Sequence, residues 1–316
     1  MTDKPVEKWR ILFMGTPDFA CPALAALIDS REEVLAVITQ PDRRQGRGRK
    51  PAPPPVKVLA EDRGIPVWQP EKIRTPEFLA QVKDLEPHLF VVVAYGNILS
   101  PALLDIPLKG SLNVHASLLP AYRGPAPINW VIINGETHTG VTTMFQDKGV
   151  DTGPTLLSES TRIEPTDSCG TLHDRLANLG ARLLIETIAG LRDGTVSPKP
   201  QPEQGISHAP MLKKSDGLVD WNRPAKELDC QVRGVDPWPG AYTSFRGKTL
   251  KLFGSRTGTV QGKPGQVMGL ENGRLHVAAG EGSLVLAELQ LAGQKRLPAA
   301  SFWHGQRLKP DDIFGA

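Results

Sequence analysis

Short, solidly apolar segments recur along the first half of the chain, separated by amphipathic or polar stretches. RILFMG at residues 10–15, VLAVIT at 34–39 and LFVVVA at 89–94 offer no polar face. Such strands are typical of a parallel sheet that helices cover on both sides. Thr16-Pro17-Asp18 is a helix-start signal and predicts a helix over residues 19–28. Further strands are expected at 111–115 and 140–145, so the pattern favours an open, mostly parallel, Rossmann-like α/β sheet.

The pattern changes twice after this sheet. Apolar residues between Leu172 and Leu191 have helical spacing. Residues 192–210 are rich in Pro, Gly and Gln without apolar periodicity, which predicts a linker. Short β-like runs then follow one another at turn-separated intervals, and these are AYTSF, KTLKLFG, GQVMGL, RLHVAA and SLVLAELQLA. They indicate a small OB-like β-barrel. We therefore expect an α/β catalytic domain over 1–191, a linker over 192–210 and an OB-like domain over 211–316.

Charge adds one asymmetry to this picture. The net charge of the 316 residues is +3. Up to residue 206 there are 22 Lys and Arg against 24 Asp and Glu, whereas residues 207–316 carry 15 against 10. The C-terminal third is thus the basic part, which weakly indicates a polyanionic partner because many solvated surfaces carry this much charge.

Several classes of protein are disfavoured. No window approaches 18 consecutive apolar residues, and MTDKPVEKWR lacks the apolar core of a secretory signal, so we expect a cytoplasmic protein without membrane contact. Cys21, Cys169 and Cys230 lie far apart without metal-ligand spacing and are expected to be reduced, buried thiols. The first turn, GTPDFA, lacks the glycine fingerprint of a dinucleotide site.

The stretch SLNVHASLLPAYRGPAP at residues 111–127 carries candidate chemistry. Residues two apart in a strand share a face, so Asn113 and His115 should point the same way where the strand ends. Both could donate hydrogen bonds to a carbonyl oxygen that gains negative charge. The alternative is that backbone groups satisfy both side chains. Ser117 beside a His suggests a serine hydrolase, but no G-x-S-x-G elbow surrounds it.

A carboxylate follows the next strand. Asp151 lies in DKGVDTG, directly after the strand predicted over 140–145. It could orient the His or accept a proton; alternatively it could hold its own backbone in an Asx-turn. Together the three residues would supply an oxyanion donor, a titratable ring and a carboxylate.

These residues match a known pattern. NVHASLLPAYRGPAPINW followed by GVTTMFQDKGVDTG closely resembles the signature of the 10-formyltetrahydrofolate-dependent formyltransferases. The resemblance implies a catalytic trio of Asn113, His115 and Asp151, with 10-formyltetrahydrofolate as the formyl-donor co-substrate and no metal. It also implies folate contacts by the segment Ser117, Leu118, Leu119 and Pro120. Ala116 stands where the family usually has Gly, which concerns the loop conformation more than the chemistry.

Further stretches narrow the resemblance. Four segments are similar to sequences of one branch of this family, which formylates methionine on initiator tRNA for translation initiation. These segments are FMGTPDFA, TQPDRRQGRGRK, VVVAYGNIL and PWPGAY. The implied partners are initiator methionyl-tRNA and the folate, and we expect a monomer. The basic loop at about residues 40–55 is expected to bind tRNA phosphates, because glycines make it flexible and arginines fork onto phosphate. Its cations are Arg43, Arg44, Arg47, Arg49 and Lys50. A solvated loop without a partner is the alternative.

Other functions share part of the pattern. A formyltransferase acting on an amino-sugar nucleotide would have the same trio and a small C-terminal domain, but little need for the Arg-rich loop. A glycinamide ribonucleotide formyltransferase would leave much of the C-terminal part surplus, and hydrolysis to formate stays open as a side reaction. A non-catalytic RNA-binding module would use the basic loop and the β domain. It would not need Asn113, His115 and Asp151 together.

Overall fold

The computed structural model describes residues 8–45 and 50–315. These divide into two compact units. The N-terminal unit comprises the described residues up to Gly124 together with Thr139–Thr161 and His173–His208. The C-terminal unit comprises Pro125–His138, Arg162–Leu172 and the described residues from Ala209 on. The domain boundaries expected from the sequence stay a prediction.

The described residues up to Asp193 form nine strands and six α-helices. The strands are β1 (Arg10–Gly15), β2 (Glu33–Ile38), β3 (Arg43–Gln45), β4 (Lys50–Ala52), β5 (Val67–Trp68), β6 (Leu89–Val93), β7 (Ser111–His115), β8 (His138–Phe145) and β9 (Thr155–Arg162). The helices are α1 (Cys21–Ile28), α2 (Pro55–Asp62), α3 (Pro76–Asp84), α4 (Pro101–Leu104), α5 (Pro127–Ile133) and α6 (Cys169–Asp193). The apolar runs therefore located the main strands correctly, to within two residues at each end.

Seven of these strands form one sheet, in the order β5-β2-β1-β6-β7-β8-β9. The pairs from β5 to β7 are parallel, so the predicted mostly parallel sheet is confirmed. The next strand departs from the parallel pattern: β8 runs antiparallel to β7, with Leu112 opposite Phe145 and His115 opposite Thr142. A strand buried on both faces reads the same in either direction, so its own sequence does not encode its orientation.

Helix α6 identifies the two faces of β7. A Cβ atom at Gly180 would lie 2.8 Å from Cγ1 of Val114, so the helix backbone packs directly on that side chain. Side chains alternate along a strand. Asn113 and His115 therefore point away from α6, on the opposite face of the sheet.

The C-terminal unit contains the small β domain that the apolar runs predicted. Its strands are β10 (Tyr242–Phe245), β11 (Lys248–Gly258), β12 (Val267–Glu271), β13 (Arg274–Ala278), β14 (Ser283–Leu291) and β15 (Leu297–Pro298). They form an antiparallel sheet in the order β10-β11-β14-β13-β12, with β15 on β14. Two helices, α7 (Ala225–Gly234) and α8 (Ala299–Gln306), accompany it. Its core consists mainly of buried Leu, Val and Ala side chains, together with aromatic residues such as Phe245, Phe302 and Phe314.

All three cysteines are free thiols. Burial, reinforced by the nearby negative charge of Asp236, raises the pKa of Cys169 to about 12, so this thiol stays protonated at neutral pH. Within residues 8–45 and 50–315, no set of three or more His, Cys, Asp or Glu side chains is arranged to hold a metal ion. No helix in the same part of the chain is both long enough and apolar enough to cross a membrane.

Candidate active site

The last strand before the Pro-rich loop presents Asn113 and His115 side by side. Both side chains are largely buried, with 8% and 6% of their surfaces exposed. The backbone of Asn113 is paired with Val92 on one side and Met144 on the other, which holds the residue in the middle of the sheet. Its side-chain amide forms no hydrogen bond with any described residue. This amide is therefore available as a donor to a bound molecule.

The ring of His115 is oriented by a backbone carbonyl. Its Nε2 atom lies 3.0 Å from the carbonyl oxygen of Tyr122. Because a carbonyl oxygen only accepts, Nε2 carries the proton in the neutral ring. The other nitrogen, Nδ1, lies 3.7 Å from Oδ1 of Asp151, which is longer than a hydrogen bond. Neutral His115 thus offers a lone pair at Nδ1, and it can donate from Nδ1 only when the ring is protonated.

A returning loop brings Asp151 to this ring. Because β8 is antiparallel to β7, it ends beside Leu112, at the opposite end of β7 from His115. The loop between β8 and β9 then carries Asp151 back. There the residue adopts a left-handed backbone conformation with φ of 53°, and its Oδ2 atom accepts a hydrogen bond of 2.8 Å from the backbone N–H of Gly124.

Another carboxylate forms the Asx-turn considered for Asp151. Oδ1 of Asp147 accepts hydrogen bonds from the N–H of Gly149 at 2.9 Å and from the hydroxyl of Thr152 at 2.7 Å. This arrangement is a typical side-chain staple of a tight turn. Asp147 therefore shapes the loop, and Oδ1 of Asp151 faces His115.

Gly153 anchors the same loop against the sheet. A Cβ atom at this position would lie 1.9 Å from the carbonyl oxygen of Phe145, so no larger residue fits without moving the backbone. The N–H of Phe145 in turn donates to the carbonyl of Pro154 at 2.9 Å. The glycine of the D-T-G motif is thus needed for close packing of the loop on β8.

Ser117 has a structural part in the loop that follows His115. Its side chain is fully buried, and its hydroxyl donates to the carbonyl of Ala121 at 2.6 Å. The hydroxyl of Thr142 donates to the carbonyl of Ser117 at 2.7 Å and accepts from the N–H of Leu119 at 3.1 Å. The Ser117 hydroxyl is therefore engaged in holding the turn, which disfavours the serine-hydrolase alternative. Leu118, Leu119 and Pro120 are half-buried, and their contact with folate stays a prediction.

The basic loop falls partly outside the described residues. Strands β3 and β4 form an antiparallel ribbon in which Arg43 pairs with Ala52. The exposed Arg43 donates from Nη2 to Oε1 of Gln40 at 3.1 Å. Arg44 and Lys50 lie on the ribbon, whereas Arg47 and Arg49 lie outside the described residues. The proposed contact of these cations with tRNA stays a prediction.

Sequence reasoning missed the residues that support the trio. The carbonyl of Tyr122 contacts the ring of His115, and the N–H of Gly124 binds the carboxylate of Asp151. Arg123 lies between Tyr122 and Gly124 in the sequence. These three belong to the loop PAYRGPAP, whose position after the His was the available signal. Gln201, which bonds to the backbone of Asp151, lies in a Pro-rich segment that gave no signal at all.

Two family models match this chain along most of its length. The model described as formyl transferase matches residues 8–188, and the model described as formyl transferase, C-terminal domain, matches residues 211–307. The fold, the site and these matches define the class of protein: the chain belongs to the formyl transferase family.

Individual relatives within the family are similar over nearly their whole length. The methionyl-tRNA formyltransferase of Citrifermentans bemidjiense is 54% identical over 306 residues, covering 97% of this chain and 96% of the relative. That of Pelobacter propionicus is 55% identical over 305 residues, covering 96% of each chain. The sequence resemblance to this family is thereby confirmed.

Solved structures show the same fold at lower identity. An N-formyltransferase from Helicobacter canadensis, in complex with folinic acid and dTDP-3-aminofucose, superposes with a TM-score of 0.66 at 18% identity, covering 88% of this chain and 98% of that one. HypX from Aquifex aeolicus, in complex with tetrahydrofolic acid, gives a TM-score of 0.64 at 18% identity, covering 98% of this chain and 51% of that one.

Proposed function

We propose that this protein is a methionyl-tRNA formyltransferase, which transfers the formyl group of 10-formyltetrahydrofolate to the α-amino group of methionine on initiator tRNA. The convergence of the unpaired Asn113 amide, His115 and the carboxylate of Asp151 supports acyl transfer. The acceptor follows from relatives that are more than half identical over almost the entire chain.

The chemistry requires an amine to attack the formyl carbon. An α-amino group has a pKa of about 7.7–8.0, so a substantial fraction is neutral near pH 7. As the new C–N bond forms, negative charge develops on the formyl oxygen. The Asn113 amide donates to that oxygen, and it is already in place because no other hydrogen bond has to break.

Proton transfer accompanies this step. The attacking nitrogen must lose a proton. In this proposal the lone pair at Nδ1 of His115 accepts it, while Nε2 keeps its hydrogen bond to the carbonyl of Tyr122. Asp151 stabilises the imidazolium that forms. When the bond between the folate nitrogen and the formyl carbon breaks, His115 returns the proton to that nitrogen. In this proposal, contacts of the folate with the segment 117–120 hold the formyl carbon close to His115.

The function is tested with two acceptors. Purified protein is incubated with 10-formyltetrahydrofolate and either methionyl initiator tRNA or an amino-sugar nucleotide. We expect transfer to the tRNA alone, and a rate lowered by about 10²-fold or more in His115→Ala, because a positioned acid–base group contributes at least that much. Transfer to the sugar alone would overturn the acceptor, and transfer to neither would overturn the proposed reaction.

The cations of the basic loop are proposed to bind tRNA phosphates. Replacing Arg43, Arg44, Arg47, Arg49 and Lys50 together by Ala should raise KM for tRNA while leaving KM for the folate unchanged. The salt dependence should flatten, because each lost phosphate contact removes about 0.7–0.9 from the slope of log affinity against log salt. The matched control is the double variant Arg63→Ala, Lys83→Ala. Both cations are exposed; Arg63 directly follows α2 and Lys83 lies on α3. An unchanged KM for tRNA in the loop variant contradicts the proposal.

We further propose that the protein works as a cytoplasmic monomer. Sedimentation at micromolar concentration tests the oligomeric state. A stable dimer would contradict the proposal.

A further inference from the structure

Residues 199–208, called the strap below, are fastened to the N-terminal unit at both ends. At one end Lys199 and Thr155 exchange two backbone hydrogen bonds of 2.8 Å. At the other end Ser207 accepts from the N–H of Tyr122 at its hydroxyl, at 2.8 Å, and from the N–H of Arg123 at its carbonyl, at 2.9 Å. The strap has no helix and no regular strand, yet hydrogen bonds fix it beside the loops of the candidate site.

Gln201 is the residue of the strap that reaches those loops. Its Nε2 atom donates to the carbonyl oxygens of Asp151 and Gly153, both at 2.8 Å. Its Oε1 atom accepts from Arg123, at 3.1 Å from Nε and 2.7 Å from Nη2. Both amide hydrogens and both oxygen lone pairs are therefore used, which fixes the orientation of the side chain.

These bonds join the two loops that position Asp151 and the ring of His115. One loop carries Asp151. The other carries Tyr122, whose carbonyl orients His115, and Gly124, whose N–H binds the carboxylate of Asp151. Gln201 bridges the two through Arg123. The distance between Asp151 and His115 thus depends on a clamp that is remote in sequence.

The hydrogen bonds of Gln201 also stabilise an unfavourable backbone conformation of Asp151. Asp151 has a positive φ of 53°, a conformation that non-glycine residues adopt at a cost and keep only when neighbours hold it. Two contacts hold it here, namely the N–H of Gly124 on the carboxylate and the amide of Gln201 on the carbonyl. Without Gln201 only the carboxylate contact remains, and that contact uses the group required to face His115.

We propose that Gln201 is a positioning residue, which sets the placement of the Asp151 carboxylate relative to His115 by clamping the backbone of its loop to Arg123. This inference rests on the proposed function of the trio. Gln201 acts through the backbone and does not touch the substrates, so its loss should lower kcat without weakening substrate binding.

The test uses the full-length protein and the isosteric variant Gln201→Glu. A carboxylate still accepts from Arg123, but it cannot donate to the two carbonyls, so only the clamp is lost. We expect kcat for formyl transfer to fall by about 10–100-fold, since a misplacement near 1 Å can cost that much. KM for the folate and for tRNA should stay within about twofold, because no binding contact changes. Amide hydrogen exchange of the loop between β8 and β9 should become faster.

Gln204→Glu is the matched control, since Gln204 is an exposed glutamine of the same strap. It should keep the wild-type kcat and wild-type exchange. A wild-type kcat in Gln201→Glu, or a raised KM with unchanged kcat, overturns the inference while leaving the proposed function intact. An inactive wild type overturns the proposed function itself. In that case, faster exchange of the loop in Gln201→Glu supports the clamp, and unchanged exchange overturns the clamp as well.

Discussion

Substitution of Asn113 by Ala is expected to lower kcat for formyl transfer by about 10²–10³-fold, the usual effect of removing one oxyanion donor. The loss should appear in kcat more than in KM, because the hydrogen bond strengthens as charge develops on the formyl oxygen. Steady-state kinetics with saturating folate and tRNA measure it. Asn113→Asp should be at least as impaired, since it keeps the shape but directs negative charge at the developing oxyanion.

Measurements of the free energy of unfolding distinguish a loss of catalysis in the Asn113 variants from damage to the fold. The Asn113 amide has no hydrogen-bond partner among the described residues, so its removal breaks no internal bond. Asn113→Ala should therefore change the free energy of unfolding by less than it changes the activation free energy of formyl transfer. Asn178→Ala is the control: the side-chain amide of this exposed Asn on α6 donates to the carbonyl of Asp174, and the substitution should leave kcat unchanged. Equal activity of wild type and Asn113→Ala would contradict the role assigned to the amide.

Substitution of Glu32 by Ala is expected to destabilise the N-terminal unit by about 3–5 kcal/mol, as is typical when one partner of a buried ion pair is removed. Oε1 of Glu32 pairs with Arg192, and the two side chains are only 3% and 10% exposed. Oε2 accepts from the N–H of Trp9 at 2.7 Å. The substitution therefore leaves a guanidinium and an N–H without their acceptor in a largely dry environment. Urea unfolding of wild type and variant measures the difference.

The surface pair of Asp29 and Arg63 is the control for that measurement. Its nitrogen–oxygen distance is 2.8 Å, but the side chains are 65% and 42% exposed. Solvent screens such pairs, so Asp29→Ala should cost less than about 1 kcal/mol. If Glu32→Ala and Asp29→Ala lowered the free energy of unfolding by similar amounts, the prediction that the buried pair contributes more to stability would be contradicted.

The prediction from sequence succeeded where structure depends on neighbouring residues. Apolar runs located the strands and the long helix, because burial on both faces leaves a continuous apolar segment. The two-residue repeat of a strand was enough to place Asn113 and His115 on one face. Their assignment to a catalytic trio came from the resemblance to a family, and it stays a proposal.

The sequence by itself therefore determined the order of the elements, the family and the two side chains that β7 presents. Only the tertiary structure decided the reversed direction of β8, the proton position on His115 and the partners of Asp151. The physical reason is the range of the contacts. Gly124 lies 27 residues from Asp151 and Gln201 lies 50 residues from it, so their hydrogen bonds leave no periodic trace in the local sequence and form only when the loops are brought together.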